Sequence, residues 1–146
     1  MMNIEISIEK IGVALDGSPP SYKALKRALE LAQKLGAQII GIHVLPIPTD
    51  LAELGPSILE LEAVLRKEAE AILARGSEEA EKAGVPYQGV ILEGQTAETI
   101  AEYGAKEGLD LIVVGYQGKS KLSELIMGSV TARLLSISKV PLLVVK

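Results

Sequence analysis

Cysteine is absent from the 146 residues, which excludes disulfides, thiolate metal sites and thiol nucleophiles. That lack fits a cytoplasmic protein. Phe and Trp are absent as well, leaving four Tyr as the large aromatics. The core must therefore be assembled from Leu, Ile, Val and Ala, the residues that line parallel sheets covered by helices. The same shortage removes stacking platforms for bases, and Lys and Arg are scattered through a chain of net charge −4. Nucleic acid is not an expected partner. No apolar run approaches the roughly 20 residues that span a bilayer, so no membrane association is expected. Met1–Lys10 is too short and polar for a signal peptide. With one His and no Cys, clustered ligands for a resident metal are missing.

What is present reads as one domain over residues 1–146, with 48% hydrophobic and 23% charged residues. Five apolar, β-branched runs stand out: Lys10–Leu15, Ala37–Val44, Pro86–Leu92, Leu109–Val114 and Pro141–Val145. Between the first two, Leu25, Ala28, Leu29, Ala32 and Leu35 recur at helical spacing, and Gly36 can close that helix. Pro46 to Pro56 reads as a loop. A long helix follows over Ile58–Ala83, with Leu61, Leu65 and Ile72 on one stripe, Gly76 a point of bending and Gly84 the end. Thr96 is placed to N-cap a third helix that Gly108 closes. A last helix covers Ser129–Ser138, with Val130 and Leu134 facing inward. Strands alternating with single helices predict an α/β fold, an open, doubly wound, five-stranded parallel sheet with helices on both faces.

In such sheets ligands gather beyond the carboxyl ends of the strands, so the loops there carry the candidate chemistry. Asp16 ends the first strand, and its alternatives are a ligand contact or an Asx-type turn with Ser18 and Pro19. Gly115 and Gly118 follow the fourth strand and admit close backbone approach. Gly128 and Ser129 open the last helix, where free N–H groups and the dipole favour an anion. The alternative is that these glycines only turn the chain and allow close packing. His43, inside a strand, reads as a packed structural residue. The acidic stretch from Glu53 to Glu81 reads as the solvated face of the long helix.

The spacing Gly115-x2-Gly118-x9-Gly128-Ser129 resembles the phosphate-binding motif of the universal stress protein family. IGVALDGSPPSYKAL, IIGIHVLP, LEGQTAETIAEYGAKEGLDLIVVGYQG and MGSVTARLLSISKVPLLVVK resemble that family's successive elements across the chain after residue 10. The resemblance implies sheet order 3-2-1-4-5, an adenine nucleotide alpha hydrolase-like arrangement, with a nucleotide between the first and fourth strands. It implies ATP, ADP or AMP as ligand, with Mg²⁺ or Mn²⁺ accompanying the phosphates. Asp16 would meet the ribose or the phosphate-bound ion, and the Val44 backbone would read the adenine edge with Ala14 beside it. Gly94 would wall the base. Gly115, Gly118, Gly128 and Ser129 would hold phosphates, and Val130 would add a backbone N–H. It also implies a homodimer paired through Val140–Val145, which would cover an aggregation-prone edge strand.

Tyr116 and Gln117 depart from the family, which usually carries a small residue and then Arg or His there. Tyr116 is bulky beside the expected cradle and Gln117 brings no charge, whereas Lys119 and Lys121 can compensate. The function expected is an adenine-nucleotide-binding stress-response regulator with little or no turnover and no catalytic residue. The alternatives are a slow ATPase, although the Walker pattern is absent, and a dimeric interaction module whose phosphate pocket Tyr116 fills. A receiver domain would need an acidic pair after the first strand and a late lysine after the fifth, whereas here one Asp stands at the first site and the sequence stops directly after the fifth run.

Overall fold

The computed structural model describes residues 7–46, 55, 57–119 and 125–146. Most of the expected 46–56 loop, Ser120 and Lys121 lie outside those residues. Nine elements alternate: β1 (Lys10–Ala14), α1 (Pro19–Leu35), β2 (Gln38–Leu45), α2 (Ser57–Ala83), β3 (Tyr87–Glu93), α3 (Thr96–Lys106), β4 (Leu111–Gly115), α4 (Ser129–Ile137) and β5 (Leu142–Val145). The strands form one sheet in the order β3-β2-β1-β4-β5, with every neighbouring pair parallel. The connection leaving β1 runs to β2 on one side, and the connection leaving β4 runs to β5 on the other, so the two diverge between β1 and β4.

Alternation along each strand sends successive side chains to opposite faces and builds two cores. Ile11, Val13, Leu15 and Ile39 pack with Ala24, Leu25 and Ala28 of α1 and with Ile72 and Leu73 of α2. Ile40, Ile42, Ile112 and Val114 pack on the other face with Ala97 and Ile100 of α3 and Leu134 of α4. Each Val, Leu or Ile side chain among them contributes about 1.5–3 kcal/mol when fully buried. The missing Phe and Trp are thus replaced by stacked aliphatics.

Local signals set the helix ends. Ser18 caps α1, its hydroxyl accepting from the Ser21 N–H at 3.3 Å, with Pro19 and Pro20 in the first turn. Gly36 ends α1 at φ 67°, a conformation that suits a residue without Cβ.

Four expectations require correction. Gln95, not Thr96, is the N-cap of α3; Thr96 is already helical, and Gln95 supplies no side-chain cap bond. Gly76 does not interrupt α2, which is continuous over 27 residues. The glycine is buried there because a Cβ would sit 2.6 Å from the Tyr87 hydroxyl oxygen. Val130 is exposed, and the buried positions of α4 are Thr131 and Leu134. Leu61 is exposed as well, because tight packing of α2 begins only at Ala69.

Candidate functional site

A cleft of about 520 Å³ opens beyond the carboxyl ends of β1, β2 and β4. That volume suits a small organic ligand, and its place between β1 and β4 is where the chain's connections diverge. Ala14, Asp16 and Val44 line it from β1 and β2. Gly115, Gly118 and Lys119 line it from the β4 exit, and Gly128, Ser129 and Val130 from the start of α4. Gly94 does not. Its N–H donates to the Leu45 carbonyl at 3.1 Å, closing the loop after β3, while Thr96 of α3 reaches the cleft instead.

Asp16 ties the two loops together. One carboxylate oxygen accepts from the Ser18 N–H at 2.9 Å and from the Ser18 hydroxyl, forming the Asx-type turn. The other accepts from the Lys119 N–H at 3.0 Å. The turn and the cleft-lining position therefore coexist in one side chain. Gly118 permits this closeness, since a Cβ there would lie 2.5 Å from the Asp16 carboxylate. A Cβ at Gly115 would lie 2.9 Å from the Pro20 carbonyl oxygen, and one at Gly128 would lie 3.3 Å from the Gln117 Cα. None of these three glycines has positive φ, so space rather than turn conformation demands them. Close packing and the cradle have the same cause.

The start of α4 carries the site's main polarity. Gly128 is its N-cap and contributes no side-chain bond. The first helical backbone bond is made by the Ala132 N–H to the Gly128 carbonyl at 3.0 Å. The N–H groups of Ser129, Val130 and Thr131 thus face the cleft without a backbone partner among the described residues. Three open donors and the positive end of the helix dipole create an anion site. Two bonds fix the helix there: the buried Thr131 hydroxyl donates to the Gly115 carbonyl, and the Gly128 N–H to the Tyr116 carbonyl, both at 2.8 Å.

Of the two residues that depart from the family pattern, Gln117 lines the cleft and Tyr116 does not. The Tyr116 side chain lies outside the cleft, in a second pocket shared with Pro19, Pro20 and Lys23. Its hydroxyl donates to the Leu125 carbonyl at 3.3 Å, and the Lys146 Nζ stands 5.2 Å from its ring centre. Tyr116 therefore neither crowds nor fills the cradle. Gln117 donates through Nε2 to the Ile126 carbonyl at 2.7 Å, bracing the loop rather than supplying charge.

At the other end of the cleft, Ile42, Ile100 and Val114 supply an apolar wall. Backbone groups alternate between a strand's two neighbours. The last rung from the β1 side is the Leu15 N–H donating to the Ile42 carbonyl at 2.8 Å. Val44 lies one rung beyond, so its N–H and C=O on that side are left facing the cleft. They form an adjacent donor–acceptor pair. His43 is more than packing: it lines the cleft, half-buried, with Nδ1 2.7 Å from the Leu15 carbonyl oxygen.

Two residues that the sequence reading overlooked belong here. Thr131 clamps α4, and its position two residues after Ser129 was the available signal. Glu68 projects from α2 to the cleft and pairs with the Lys119 Nζ at 2.8 Å. The Lys119 hydrogen bond and charge hold the Glu68 carboxyl below its ordinary range. Nothing in sequence distinguishes Glu68 from the other glutamates of that helix. Among the described residues no cluster of His, Asp and Glu forms a metal-ligand set, and no helix is long and apolar enough to cross a membrane.

The family model described as "Universal stress protein family" matches residues 7–146, which include every strand, every helix and the whole cleft. The chain belongs to the universal stress protein family. A universal stress protein of Methanocaldococcus jannaschii is 33% identical over 99% of this chain and 85% of its own length. The solved structure of a second protein from that organism, MJ0577, is 29% identical with a TM-score of 0.86, covering 97% of each chain. A third universal stress protein, solved in complex with cAMP, is 26% identical with a TM-score of 0.75, covering 94% of this chain and 97% of its own.

Proposed function

We propose that this universal stress protein is a cytoplasmic regulator that binds an adenine nucleotide in the cleft between β1 and β4. The single observation carrying the proposal is the cleft's polarity. It runs from an apolar wall beside the open Val44 peptide to the three N–H groups of α4 that have no backbone partner among the described residues. An adenine edge offers an acceptor beside a donor and suits the first. A phosphate suits the second. The relative solved with cAMP supports the ligand class. Asp16 stands between the two ends, where a ribose or an ion carried by the phosphates would lie. Mg²⁺ or Mn²⁺ would arrive with the phosphates, because the described residues gather no ligand set of their own.

Binding without appreciable turnover is the better reading. The Asp16 carboxylate, which lines the cleft, is occupied at both oxygens by Ser18 and Lys119. It is poorly placed to activate water. The interaction-module alternative loses its main support once Tyr116 is found outside the cleft. The protein's assembly is proposed as a homodimer through Val140–Val145, since β5 is a sheet edge and Leu143 is exposed on it.

The direct test is to denature the purified protein and separate released nucleotides by ion exchange, alongside a multiple-turnover phosphate-release assay. Co-purified adenine nucleotide with negligible turnover is expected. Sustained turnover would replace the binder with an ATPase. Absence of nucleotide, together with no binding of added ATP or AMP, would remove the proposal.

A further inference from the structure

Lys119 is the one Lys or Arg side chain that lines the cleft among the described residues. It is already engaged by Glu68 at 2.8 Å. The other partners are held differently. Asp16 is fixed through backbone and Ser18 contacts, Arg66 pairs with Glu93 at 2.7 Å, and Arg133 pairs with Glu98 at 2.8 Å. The Lys119–Glu68 pair therefore joins α2 to the phosphate-side loop across the cleft mouth. Both side chains are about half exposed, 57% and 49%, and a pair so solvated is weakly held. The Lys119 backbone is anchored by its N–H to Asp16, so the side chain can swing while the loop stays in place.

We propose that Glu68 competes with nucleotide phosphate for Lys119, so that a polyphosphate must displace Glu68 while a monophosphate leaves the pair intact. The inference rests on the nucleotide reading above and adds what sets the site's response to phosphate number. A chain of phosphates starting at α4 would extend outward, where Lys119 is the cation that lines the cleft among the described residues. ATP reaching it gains a charge-assisted hydrogen bond and loses the Lys119–Glu68 pair. AMP, held by the α4 N–H groups alone, neither gains nor loses there. Nucleotide charge would thereby decide whether α2 is tied to the loop after β4.

The test is calorimetric titration of the full chain with ATP and with AMP in four forms: unaltered, Glu68→Gln, Lys119→Met and the double variant. Both positions are exposed surface side chains, so the variants should keep the fold. Glu68→Gln should tighten ATP about 2- to 5-fold, the range a solvated pair permits, and leave AMP nearly unchanged. Lys119→Met should weaken ATP, and in that background Glu68→Gln should give no further gain. Equal tightening of ATP and AMP, or a gain that persists without Lys119, would show general charge repulsion and overturn the proposal. So would an unchanged ATP affinity in Glu68→Gln. If the unaltered chain binds neither nucleotide, the nucleotide reading itself falls, an outcome distinct from these.

Discussion

Replacing Gly76 with alanine should destabilise the protein, against the usual rule for a glycine inside a helix. In an exposed helix the change would stabilise by about 1 kcal/mol, because glycine loses more backbone entropy. At Gly76 a new Cβ would lie 2.6 Å from the Tyr87 hydroxyl oxygen and 3.1 Å from the Leu15 Cδ1. Overpacking of that kind costs about 1–3 kcal/mol. The Tyr87 hydroxyl also donates to the Leu73 carbonyl at 3.0 Å, and pushing the ring aside strains a bond worth about 1 kcal/mol. The cost exceeds the gain, leaving a net loss of about 1–3 kcal/mol. Equilibrium urea unfolding should show a lower midpoint with an unchanged slope. Tyr87→Phe removes the nearest atom, so Gly76→Ala should cost less in that background, with a coupling above about 0.5 kcal/mol. A Gly76→Ala protein as stable as the parent, or more so, would refute the idea that the Tyr87 slot dictates this glycine.

The same tyrosine predicts a pH effect. Burial pushes the Tyr87 hydroxyl up to about 12, above the ordinary value near 10 for an exposed phenol. Between those values the unfolded chain gives up the proton while the folded one keeps it, so stability must fall as pH rises from about 10 to 12. Up to about 2 kcal/mol is at stake, and Tyr87→Phe should flatten that part of a stability-versus-pH curve. If the two curves fall in parallel, the phenol is not protected as described. Thr131→Val keeps the shape but deletes the 2.8 Å bond to the Gly115 carbonyl. It should cost about 1–3 kcal/mol in unfolding free energy and weaken nucleotide binding through a displaced α4, whereas undiminished affinity would separate that clamp from the site.

How much of this was legible depended on how local each cause is. The five strands were readable because runs such as Leu111–Val114 are apolar on both faces, as burial between two helix layers requires. Gly36 and the Gly128–Ser129 helix start carried short-range signals, and both ends fall where the spacing placed them. Tyr116 and Gln117 were different. They are neighbours leaving a strand, and which side each takes depends on where α4 docks, through contacts with residues 125 and 126. Val130 obeys helical spacing with Leu134 but is exposed because the cleft, not the sheet, lies beside the first turn. Glu68 could not be singled out, since its meeting with Lys119 spans 51 positions in sequence. Gly94 was expected at the cleft from the family resemblance, yet its backbone serves to close the loop onto Leu45.

The central claim is that the open first turn of α4 binds phosphate, and Ser129→Asp tests it most directly. Ser129 is exposed, and a carboxylate at a helix N-terminus is favourable by about 0.3–1 kcal/mol, so the fold should be kept or strengthened. The same carboxylate would occupy the donors that phosphate needs. Calorimetric titration with Mg²⁺-ATP should show binding to the parent and at least a tenfold loss in Ser129→Asp, with thermal stability equal to the parent's or higher. Equal ATP affinity in the two proteins would contradict the account and move the phosphates away from α4.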